Sequence, residues 1–177
     1  MKAALISLFA AGAVLTACVA PEAEAPPPTP AVARQAQKDV SEGFALFDSI
    51  CLRAVREGNP AAAKDLGIAR GFKKRGDVFV MDGNKSYPVY SKPGTRQNLV
   101  FASSKKFSIQ CGVEWKTTRE VAAVSIQGLS RQMHLIQGKE PGFSSGAGPG
   151  IEINGKHWIW GQDYNPEQQR QMIYIYD

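Results

Sequence analysis

Apolar positions change their period twice along the chain, and each change marks a different kind of element. From Asp39 onward Val40, Phe44, Phe47, Ile50, Cys51, Ala54 and Val55 recur at three- and four-residue spacing, the period of a helix with one buried face. Asp39 and Glu42 have the spacing of a capping box and Gly58 follows the run, so one helix is predicted between them. Asn59-Pro60 then offers a cap and a first-turn proline for a shorter helix from Ala61 to Ala69, closed by Gly71. The two form a helical hairpin.

After Asp77 the period becomes two. Val78–Met81, Tyr87–Tyr90, Leu99–Ala102 and Phe107–Trp115 read as antiparallel strands, with turns at Asp82-Gly83-Asn84 and Pro93-Gly94. Pro88 cannot donate to a ladder, which predicts an edge position for its strand. Thr117 and Glu120 make a second capping box, and Val121, Val124, Ser125 and Leu129 form the apolar stripe of a further helix ending near Gly128 or Arg131. Gly150–Ile153 and Lys156–Gly161 flank Asn154-Gly155, the turn pair of a tight hairpin. Asn165-Pro166-Glu167 predicts one helical turn before a last strand, Met172–Tyr176. The sum is an α+β fold, an antiparallel sheet of about six to seven strands with the N-terminal helical hairpin and one further helix packed on it.

The N-terminus obeys neither period. Lys2 precedes an apolar, alanine-rich run from Ala3 to Val14 and then Leu15-Thr16-Ala17-Cys18, the layout of an export signal. The run is shorter than the ~20 strongly apolar residues that a permanent span needs. Leu15-Thr16-Ala17-Cys18 resembles the lipobox of bacterial lipoproteins. That resemblance implies a signal peptide over residues 1–17, removal of it, and a lipidated Cys18 as the first mature residue; Val19, in place of the aspartate that retains such proteins at the inner membrane, implies an outer-membrane anchor facing the periplasm. An ordinary secretory signal with a chance cysteine is the alternative. Residues 18–37 hold Pro21, Pro26, Pro27, Pro28 and Pro30, a spacer that at ~3.1 Å per residue reaches on the order of 50 Å. Residues 38–177 then make a single domain.

With Cys18 assigned to the anchor, Cys51 and Cys111 remain. In an oxidising envelope they are expected to pair, closing a loop of about 60 residues and stabilising the domain by roughly 4 kcal/mol. Two free buried thiols are the other reading. Phe44-x-x-Phe47-x-x-x-Cys51 and Cys111-Gly112-Val113 loosely resemble small uncharacterised envelope proteins of proteobacteria, in which a helix bearing one cysteine precedes a sheet bearing its partner. The resemblance implies no activity.

The formal charge of +5 becomes +4 when Lys2, the leader's one charge, is subtracted (5 − 1). The densest basic run, Arg70 to Arg75, suits anionic headgroups or wall polymers, or is a solvated turn after a helix. Export removes nucleic acid as a partner, and a basic domain is ill suited to inhibiting cationic lysozymes.

Gly142-Phe143-Ser144-Ser145-Gly146 fits the G-x-S-x-G pattern of a hydrolase nucleophile elbow. An elbow needs a strand before the serine and a helix after it, and the sequence around Ser144 predicts neither; its acid and histidine would have to be Asp163 and His157. The stretch reads better as a surface loop, which keeps Ser144 and Ser145 as possible binding residues. His134 and His157 have no metal-ligand spacing, so no metal or cofactor is expected. Trp158 and Trp160 share one strand face, and Tyr174 and Tyr176 share another. If those faces coincide they form a saccharide or peptide platform; otherwise they are core. The expected function is a lipid-anchored cell-envelope protein with a non-catalytic binding or structural periplasmic domain, its partners the membrane through the anchor and an envelope protein or anionic envelope polymer. The alternative is a small periplasmic hydrolase using the Gly142–Gly146 loop.

Overall fold

The first helix begins well before Asp39. In the computed structural model, which describes residues 27–81, 85–101, 109–137 and 150–176, α1 spans Pro30–Phe47. The Thr29 hydroxyl accepts from the Val32 N–H at 3.4 Å and Pro30 occupies the first turn, where its missing N–H costs nothing. The predicted spacer over 18–37 is therefore helical from residue 30. Asp39 is no cap: it lies in mid-helix, fully buried, and accepts from Gln35 at 2.7 Å, Arg96 at 3.1 Å and Thr117 at 3.4 Å.

The rod continues through a π-helical turn, Asp48–Leu52, into α2 (Arg53–Arg56), and α3 (Ala62–Ala69) folds back to complete the predicted hairpin. Gly58 and Gly71, at φ of 73° and 89°, end α2 and α3. Each closes a paired C-terminal motif, Asn59 N–H to Ala54 C=O at 3.0 Å and Phe72 N–H to Gly67 C=O at 3.1 Å.

The fold is α+β, as the periodicity predicts. β1 (Lys73–Met81), β2 (Lys85–Ser91), β3 (Gln97–Phe101), β4 (Ile109–Lys116), β5 (Gly150–Ile153), β6 (Lys156–Asn165) and β7 (Arg170–Tyr176) form one antiparallel seven-stranded sheet in the order β1-β2-β3-β4-β7-β6-β5. Pro88 is not on an edge: β2 lies between β1 and β3. Pro88 stands opposite Val78, beside a β1 bulge, and the described ladder to β3 covers Val89 and Tyr90 only. A strand tolerates proline at such a place. Asn154 and Gly155, at φ of 55° and 70°, make the predicted tight turn between β5 and β6. The residues after Asn165 form a turn with Gln169 at φ 50° and not a helical turn, so β7 begins at Arg170.

α4 (Arg119–Gln137) is capped one residue later than predicted, by the Thr118 hydroxyl accepting from the Val121 N–H at 3.4 Å. Its own backbone N–H and the Thr118 hydroxyl hold Glu120 below the usual carboxylate range. The helix also runs past Gly128, where a side chain would meet Val40 of α1 at 2.9 Å. The glycine marks a close helix crossing, not an end.

Both sheet faces are covered. On one, the helices bury Phe47, Ile50, Leu99, Val113, Trp115 and Leu129, and the Cys51–Cys111 disulfide joins the π turn to β4 with its Cα atoms 5.4 Å apart. On the other, Phe79, Tyr87, Val89, Val100 and Met172 form a second core without helices. Phe79 of β1 and Met172 of β7 belong to this one cluster although three strands separate theirs in the sheet order, so the sheet curls on itself. Side-chain amides complete the curl: Gln168 accepts from Val80 N–H at 2.9 Å and donates to Val78 C=O at 3.1 Å, while Asn165 donates to Val80 C=O at 2.7 Å.

Candidate functional site

Alternation along the curled strands builds a basic mouth at one end of the inner face. Val89, Val100 and Met172 lie deep, and their polar neighbours at intervals of two, Ser91, Asn98 and Arg170, lie at the strand ends. There a cavity of about 870 Å³ is lined by five cations, Arg75, Lys92, Arg96, Lys116 and Arg170, and by no carboxylate among the described residues. The bulge between Lys74 and Val78 re-aims Arg75, which donates to the Ser91 hydroxyl at 3.4 Å. Gly94, at φ 81°, turns the chain at the rim, and Thr95 fixes that turn by donating to Lys92 C=O at 2.9 Å.

Two of the arginines are held from behind by buried acids. Glu114, fully buried, lies 3.5 Å from Arg170 and accepts from Asn98 at 2.8 Å. Asp39, also fully buried, pairs with Arg96 at 3.1 Å, and the other Arg96 nitrogen donates to Lys116 C=O at 3.4 Å. Buried carboxylates cost desolvation energy unless paired and hydrogen-bonded, and both are. The arrangement fixes two planar guanidinium groups at one cavity wall, a geometry that recognises anions.

The predicted site residues fall elsewhere. Trp158 and Trp160 do share a face, but it is the helix-covered face, each is 3% exposed, and Lys156 sits 4.4 Å above the Trp158 ring. The register pairs Trp160 with Ile175 and Gly161 with Tyr174, so the tyrosines lie on the opposite face and no four-ring platform forms. His157 and Asp163 are six residues apart along β6, about 20 Å at ~3.3 Å per residue. Asp163 and His157 therefore do not form the acid–histidine pair that the elbow reading requires. Asp163 instead accepts from the Tyr164 N–H at 2.8 Å. His134 is buried against Ser130 C=O at 2.6 Å and meets Trp160 edge-on. Ser144, Ser145 and Cys18 lie outside the described residues. The basic run divides: Arg70 donates to Ser49 at 2.8 Å, Lys73 and Lys74 are exposed on β1, and Arg75 enters the mouth. Among the described residues, no cluster of three metal-ligating side chains occurs, and no helix is long and apolar enough to cross a membrane.

Tyr174 lies across Gly161, where any side chain would meet its ring at 2.6 Å. Burial first, then Asp163, Tyr176 and Tyr87 nearby, pushes its phenol up to about 12. Burial raises Tyr87 as well. An unfolded tyrosine ionises near 10.0, so between these values the unfolded chain loses a proton that the folded one keeps. Stability from Tyr174 is therefore complete below about pH 10 and is lost as pH rises through about 12. Denaturant midpoints across this range, compared with those of Tyr174→Phe, should show the slope flatten in the variant; parallel slopes would refute the assignment.

Four of the five mouth cations escaped sequence reasoning, because Lys92 and Arg96 flank the β2–β3 turn and meet Lys116 and Arg170 only through the β3–β4 and β4–β7 pairings. The signal available was a cation at several predicted strand ends. No family model, curated protein or solved structure matches this chain.

Proposed function

We propose that the chain is a lipid-anchored cell-envelope protein whose folded domain binds an anionic envelope component without transforming it. The observation that carries the reading is the cavity wall of five cationic side chains with no lining carboxylate among the described residues, since such a wall concentrates anions and orients them. The Leu15-Thr16-Ala17-Cys18 box supports attachment. Several acyl chains at ~0.8 kcal/mol per buried methylene would hold the domain at the membrane surface. The hydrolase alternative loses support from the separation of His157 and Asp163 along β6.

Intact mass of the protein extracted from its native host's membranes tests the anchor. The expected mass is that of residues 18–177 plus acyl groups, and Cys18→Ala should leave the membrane fraction. An unlipidated mass, or a variant that stays in the membrane fraction, would overturn the anchored reading.

A further inference from the structure

We infer that the basic mouth receives a compact ligand carrying at least two phosphate groups, a phosphorylated saccharide or the phosphorylated headgroup of a lipid. The inference rests on the binding reading above and specifies its ligand. A cavity of about 870 Å³ is near the upper end of sites for single small ligands. With Arg96 and Arg170 already paired to Asp39 and Glu114, a net three positive charges (5 − 2) remain on the wall, and the charge that answers them must sit on one compact body. A uronate polymer carries one carboxylate per sugar and brings few charges into such a space. A phosphate monoester carries about −1.5 to −2 at neutral pH and three strong acceptor oxygens.

The wall is also built for phosphate geometry. Arg96 and Arg170 are set by Asp39 and Glu114 from the buried side, so their planar forks are oriented before the ligand arrives, which lowers the entropy lost on binding. Arg96, at 45% side-chain exposure, stands open to solvent at the mouth, and Arg170, at 13%, lies at its floor. Guanidinium groups at two depths meet two anionic centres better than one. Pro93 lines the same cavity, exposed, and provides apolar contact for the carbon skeleton between the phosphates.

The test titrates the full-length chain in neutral detergent micelles, by calorimetry at fixed ionic strength, with fructose 1,6-bisphosphate, trigalacturonate and a short single-stranded oligonucleotide. Cardiolipin, whose headgroup carries two phosphates, is added to the micelles in a separate arm. The bisphosphate should bind about tenfold or more tightly than trigalacturonate, and the double variant Arg75→Gln, Lys92→Gln, confined to exposed positions, should weaken it by about tenfold. Arg170→Lys keeps the charge and loses the fork, and should weaken binding by roughly threefold or more. Lys64→Gln, outside the mouth, should change nothing. Cardiolipin competing with the bisphosphate identifies a lipid source, and no competition identifies a saccharide; both support the phosphate site. Trigalacturonate or the oligonucleotide matching the bisphosphate would overturn the inference, as would indifference to the mouth variants. Absence of bisphosphate binding by a chain whose mass carries acyl groups would sink the ligand assignment alone. Release of inorganic phosphate during the titration would sink the non-catalytic reading alone.

Discussion

Replacing both Cys51 and Cys111 by alanine is expected to lower the unfolding free energy by roughly 4 kcal/mol and the melting temperature by on the order of 10 °C. The bridge spans 60 residues, and that span, from the π turn to β4, includes α3 and the three strands β1 to β3. Without it the unfolded chain regains the freedom of a long loop, while the folded state keeps its apolar packing because both cysteines are buried, at 0% and 1% exposure. Alanine is the informative choice, since serine would also place two hydroxyls in the core. Reduced wild-type protein should fall to nearly the same stability as the double variant. If denaturant titration shows a loss under about 1 kcal/mol, the unfolded ensemble already holds the helix near the sheet and the loop argument fails.

Trp115→Ala should cost about 3–5 kcal/mol, the range for a large aromatic removed from a packed core. Trp115 is fully buried between β4 and the helices, and α1 approaches so closely that a side chain on Gly43 would meet its ring at 2.8 Å. Neither rigid element can collapse into the space left behind. Trp115→Phe separates volume from polarity. The indole N–H has no hydrogen-bond partner among the described residues, so phenylalanine should restore more than half of the loss. A phenylalanine variant as unstable as the alanine one in equilibrium unfolding would show that the indole N–H contributes a bond of its own.

Features governed by neighbours in the chain were legible in the sequence. The Asn154-Gly155 hairpin depends on two residues that tolerate positive φ, and the helical hairpin depends on apolar spacing and two glycines. Features governed by distant partners were not. Asp39 reads as a cap because caps and buried acids have the same chemistry; only Arg96, 57 residues away, and Thr117, 78 away, distinguish them. Alternation places Trp158 and Trp160 on a common face but cannot say which face the helices cover. That depends on the β6–β7 register. The basic mouth is the extreme case, assembled from β1, β2, the turn after it, β3, β4 and β7, whose order in space no local pattern encodes.

The Gln168 amide that meets Val78 and Val80 also bears on solubility. An outer strand with open backbone groups is a template for another chain, and adding sheet to sheet in this way starts aggregation. Along Val78–Val80 the Asn165 and Gln168 amides already occupy the hydrogen-bonding positions that an incoming strand would use. Along the rest of β1 the exposed Lys73 and Lys74 oppose a second copy by like charge. The far edge, β5, is only 4 residues long, too short to template much. Among the described residues, a sheet of seven strands thus presents little open edge to another chain.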